Sequence, residues 1–66
     1  MEIKVGDLLL DLEYGDVGLL VAIDRTRERN LPNPCTHLVL NCDYGQLHWL
    51  DKEYILQECE VISASR

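Results

Sequence analysis

Two alternating apolar runs that reverse direction at a tight glycine turn set the strongest limit on this fold. Residues 4–12 lead into Glu13-Tyr14-Gly15-Asp16-Val17-Gly18, and residues 19–24 follow. Short strands bent about glycine turns predict a compact β-barrel rather than a helical or zinc-held miniprotein. With 66 residues the chain is expected to form one domain, 1–66. A core of about 15 to 20 side chains is what such a domain can bury. That leaves no room for a substrate cavity as well, so an enzyme is not expected. An apolar share of 47% is ordinary for a folded protein and argues against disorder.

Residues 3–12 read as the first strand, with Leu8, Leu10 and Leu12 on one face and Asp7, Leu9 and Asp11 on the other. Gly6-Asp7 marks a bend near its start. In residues 18–24, Leu19, Val21 and Ile23 oppose Leu20, Ala22 and Asp24, so both faces are fairly apolar. That suits a strand curling between two layers. Residues 25–35 carry Pro32, Pro34 and two asparagines, which specify a long exposed loop. Residues 36–43 form the third strand, Leu38, Leu40 and Cys42 facing away from His37, Val39 and Asn41. Asp43-Tyr44-Gly45-Gln46 turns the chain into a short fourth strand, 47–50. Residues 51–56 make one helical turn capped by Asp51, and 60–63 the closing strand. The two Tyr-Gly turns are not read as a repeat, because their flanking residues differ.

This order is that of an all-β, five-stranded SH3-like barrel with one short helical turn before the last strand. The residues also carry a resemblance: Lys4-Val5-Gly6-Asp7-Leu8, Gly15 through Ile23, Leu38-Val39-Leu40, Tyr44 through Leu50 and Glu60-Val61-Ile62. In these the chain resembles the small, mostly uncharacterised SH3-like barrel proteins of tailed bacteriophages and marine metagenomes. Their pattern runs from a "VGDLV" start through a "GxxGxV" and a "VxWxDGxxxW" hairpin to a terminal "LEVI". Cys42 departs from it, standing near a position where the pattern has tryptophan. The first hairpin is also similar to KOW-type elements, but most of the basic residues with which those hold RNA are missing.

Twelve acidic residues against six basic ones give a formal charge of -6. Such a surface repels phosphate backbones and anionic membranes and attracts a basic peptide or protein. Nucleic acid is therefore not the expected partner. Three cysteines are an odd count for a disulfide framework, and no apolar run has the length of a membrane span. A reduced cytoplasm is the expected compartment, bacterial or that of a phage-infected host if the resemblance is followed.

Cys35, His37, Cys42 and His48 are potential zinc ligands, but their spacing lacks the close pairs of a structural site. A buried thiol at Cys42 with surface histidines is the simpler reading, and no cofactor is expected. Cys35, at the loop end, is the more exposed thiol. Arg25, Arg27 and Arg29 form the one basic cluster and an alternative phosphate contact. Trp49 and Tyr54 are expected to close the core. Tyr14 and Tyr44, at the two turns, are candidates to line a groove for a proline-rich or basic peptide, as loop aromatics do in SH3-like barrels. The expected binding surface joins Tyr14, Asp16, Tyr44 and Trp49, with a protein as partner. Self-association through an edge strand or a patch containing Leu9 and Leu20 is a further expectation.

Overall fold

The computed structural model describes residues 2–27 and 34–64. Its strands are β1 (Leu8–Asp11), β2 (Val17–Ile23), β3 (Cys35–Asn41), β4 (Leu47–Asp51) and β5 (Cys59–Ser63). A helix α1 (Lys52–Glu58) separates the last two, and a 3-10 turn spans Arg25–Arg27. All pairings are antiparallel, in the order β4-β3-β2-β1-β5. The expected all-β class holds, but the sheet is open. β4 and β5 are its margins and do not pair with each other. The helix between them in the chain packs against both, and its Ile55 is completely buried.

The first strand begins later than alternation suggests because residues 4–7 turn. The Lys4 amide donates to Asp7 Oδ2 at 2.8 Å, and the Asp7 amide donates to Lys4 O at 3.0 Å. Gly6 sits at φ 98°, a conformation that favours glycine. Two bonds, Gly6 N to Leu20 O (2.7 Å) and Leu20 N to Asp7 O (3.0 Å), then pin this turn to β2. Asp7 and Ile3 are thereby buried.

The two Tyr-Gly turns are built alike although their flanking residues differ. Asp11 Oδ1 accepts from the Glu13 and Tyr14 amides, as Asn41 Oδ1 does from those of Asp43 and Tyr44. Gly15 donates to Asp11 O and Gly45 to Asn41 O, both at 2.7 Å. The two glycines share nearly the same φ, 75° and 72°. Aspartate and asparagine differ in charge, yet each has the side-chain oxygen that such a turn requires. Cys42 consequently lies in a turn and is exposed, and the buried cysteine is Cys59.

Residues facing each other across a pair share a face of the sheet. Leu20, Val39 and His48 form a row on one face, and Ile23, His37 and Leu50 another. That face carries the core: Leu9, Leu20 and Val39 are buried with Ile3, Ile55 and Cys59, while Ile23, Leu50, Tyr54, Leu56 and Val61 pack around them. Leu9 and Leu20 are 3% and 0% exposed, so they cannot belong to an exposed patch. The opposite face holds the row Leu8, Leu19, Leu40, Leu47 and the row Ala22, Leu38, Trp49. Most of these side chains are half-buried, and Leu47 is 58% exposed. Trp49 thus stands outside the core it was expected to close. Among the described residues the buried core is smaller than the sequence suggested, because α1 packs on one face of the sheet.

α1 starts where Asp51 accepts from the Tyr54 amide at 2.7 Å, as its capping position predicts. On β2, a Cβ at Gly18 would lie 2.5 Å from Val39 Cγ1. Val39 is branched, buried and stiff at χ1, so it yields poorly. Gly18→Ala is expected to cost roughly 1–3 kcal/mol through overpacking, read as a lowered urea midpoint with an unchanged slope.

Candidate functional site

The core face is not wholly covered by α1. Toward the turn end of the sheet it opens as a groove of about 230 Å³. Leu9, Val39 and Leu50 supply apolar floor, and Asp11, Tyr14, Asp16, Asn41, His48 and Tyr54 stand around it. Gly18 lies in the floor, where Val39 Cγ1 takes the space a side chain would need.

The rim is held by bonds between neighbouring elements. Tyr54 donates its hydroxyl to Asp11 Oδ2 at 2.6 Å, which ties α1 to the first turn. Asn41 Nδ2 donates to Asp16 Oδ2 at 3.3 Å. The Val17 amide donates to Asp43 Oδ2 at 3.1 Å, and the Cys42 amide to Val17 O at 2.8 Å. The two hairpin turns are therefore bonded into one acidic end carrying Asp11, Glu13, Asp16 and Asp43.

Burial alone would raise the Asp11 carboxyl. Hydrogen bonds from the Tyr54 hydroxyl and the Tyr14 and Glu13 amides outweigh it and hold the group below its ordinary 3.8. The same hydrogen bond, with burial and the negative charge of Asp11, pushes the Tyr54 hydroxyl up, so it remains a donor. Burial, followed by the charges of Asp11 and Glu58, pushes the Cys59 thiol up to about 11. A thiol so placed stays protonated and unreactive at neutral pH.

Of the four residues expected to form a binding surface, Tyr14 and Asp16 meet at this groove. Tyr44, 72% exposed, projects from the adjoining turn and does not line it. Trp49 is on the opposite face of the sheet, with the Arg27 guanidinium 3.9 Å above its ring. Arg27 also donates from Nε to Cys35 O at 2.8 Å. Arg25 lines a separate polar cavity of about 260 Å³ with Glu2, Thr36, His37 and Asp51. Arg29 lies outside the described residues. Of these arginines, Arg27 is directed at groups of its own chain.

His37 is 3% exposed, with Nδ1 2.7 Å from Thr36 Oγ1, while Cys42 sits in a turn. Among the described residues, no three His, Cys, Asp or Glu side chains come together as a metal site. Nor is any helix there long and apolar enough to cross a membrane. Asn41, His48 and Tyr54 were not anticipated at the groove. The oxygen-bearing residue that precedes each Tyr-Gly by the same interval was the signal for the first of them.

No family model, curated protein or solved structure matches the chain.

Two outcomes test this geometry. Tyr54→Phe should lower stability by about 1 kcal/mol at neutral pH, since the lost bond reaches a charged but partly exposed partner. Because the folded Asp11 value is depressed, its contribution is complete above 3.8 and is lost as pH falls through the folded value. The gap between wild type and Tyr54→Phe should therefore narrow on acidification, as denaturant unfolding at a series of pH values will read. In native protein, a thiol reagent should label Cys35 and Cys42 rapidly and Cys59 only on unfolding.

Proposed function

We propose that the chain is a non-enzymatic docking module that binds a basic peptide or protein segment in the groove beneath its two turns. The observation that carries this reading is the pairing of an apolar floor at Leu9, Val39 and Leu50 with a rim bearing Tyr14 and Asp16. A lysine or arginine beside an apolar residue fits that combination: the apolar side chain covers the floor while the cation meets carboxylate. Tyr14, 70% exposed, offers an aromatic surface to either. The net charge of -6 adds long-range attraction for such a ligand.

An SH3-like arrangement is the finer reading of the fold. The order of the elements, the sheet order and the helix before β5 support it, with the sheet left open beside the helix. The resemblance to phage and metagenomic barrel proteins accords with a small docking module in a cytoplasmic setting.

Binding can be tested on an array of short peptides that pair apolar residues with lysine or arginine, with charge-reversed copies as controls. Basic peptides should be retained, and retention should fall as salt rises. The double variant Tyr14→Ala, Asp16→Asn should lose most of it, since asparagine still offers Asn41 an acceptor while removing the charge. Equal retention of basic and acidic peptides, or retention unaffected by the double variant, would sink the reading.

A further inference from the structure

The groove reaches a border of the sheet. His48 and Leu50 line it, and both belong to β4, which is a margin of the sheet among the described residues. Hydrogen bonds on the two sides of β3 fix which way the backbone of β4 faces. The Asn41 amide donates to Gln46 O at 2.7 Å, so 41 and 46 are a bonded pair, and the next pair, Leu40 and Leu47, is not. On the other side of β3 the Cys42 amide donates to Val17 O at 2.8 Å, which makes Leu40 and Leu19 a bonded pair. Leu40 therefore turns its backbone toward β2 and away from Leu47.

By the same alternation Leu47 and Trp49 direct N–H and C=O out of the sheet, while His48 and Leu50 direct theirs to β3. The side chains of His48 and Leu50 stand at the groove, and those of Leu47 and Trp49 on the opposite face. The other margin is less free near the groove. The Leu12 amide donates to Glu58 O, so Cys59 faces outward from β5, but its amide is already donated to Ile55 O where α1 ends.

An extended chain laid beside β4 meets outward backbone groups and groove together: main-chain bonds hold it, and every second side chain enters the groove. We propose, resting on the docking reading above, that the basic ligand binds as an added antiparallel strand on β4. Every pairing already in the sheet is antiparallel. Such a strand runs toward the turns, so its residue beside Leu50 comes two positions before its residue beside His48. The first covers the apolar floor of Leu9, Val39 and Leu50, and the second lies nearer the turns and the Asp16 carboxylate. The ligand thus reads, in order, as an apolar residue, an arbitrary one, a lysine or arginine, and a second arbitrary one beside Leu47. Only the two arbitrary residues turn N–H and C=O to β4.

Backbone N-methylation of one such peptide, residue by residue, tests this with affinity for the full chain read by fluorescence anisotropy. A methyl on either arbitrary residue should weaken binding about tenfold or more, and a methyl on the apolar or the basic residue less than about threefold. Leu47→Pro removes one outward N–H at an exposed position that opens an edge strand, where proline is tolerated. It should weaken binding about fivefold, whereas Leu47→Ala, which keeps the N–H, should bind as wild type. If Leu47→Pro loses the native circular dichroism spectrum, the methylation series decides alone. Binding indifferent to the methylated position, or the reverse pattern, overturns the added strand and leaves the groove reading intact. No binding by peptides of this order overturns both. A chain that sediments as a dimer and refuses the peptide has a second copy on this margin, which overturns the proposal as well.

Discussion

Ile55 is completely buried in one cluster with Leu9, Leu20 and Val39, and the rest of the structure is arranged around that contact. The strands are short and the chain is small, so only one face of the sheet can be covered from within. Asp51 starts the helix that does so, and Tyr54, one turn along, reaches back to Asp11. A single seven-residue helix therefore fills the core, braces the first hairpin and keeps β4 apart from β5. The open sheet and the groove at the turn end both follow from having one short helix to cover the core face.

Asp11 shows how closely the candidate site is tied to the fold. Its backbone pairs with β5 at Cys59 and its carboxylate closes the first turn and receives the Tyr54 hydroxyl. Such a carboxylate is committed to structure even though it lines the groove. Asp16 carries one long bond to Asn41 and is the rim carboxylate better placed to meet a ligand.

Much of this was legible in the chain. Period-two alternation placed the last four strands to within two residues but began the first five residues too early, and Asp51 marked the helix start because its oxygen has free amides to accept from. The burial of the two faces was not legible. Leu8-Leu9-Leu10, Leu19-Leu20 and Leu38-Val39-Leu40 are apolar at consecutive positions, so alternation says which residues share a side and not which side is covered. The misplacement of Trp49, and the reading of Leu9 and Leu20 as a surface patch, share that cause. Cys42 read as strand because it is apolar, but the side-chain oxygen of Asn41 ends the strand before it. The kinship of the two turns was obscured by Asp11 and Asn41, which differ in charge and do the same work with one oxygen. Closure of a sheet depends on what fills the space between its margins, and no local pattern encodes that.

The unpaired margins have a consequence for how the protein survives at high concentration. A bare strand edge offers its amides and carbonyls to any other extended chain, and a long flat edge is the usual seed of fibre growth. Here Asp51 ends one margin and Glu60 sits on the other, while the ladder loses register at Leu8/Leu9, Leu20/Ala22 and Cys35/His37. Those irregularities bend the sheet, so neither border presents the straight, uncharged template that stacking of strands into filaments would need.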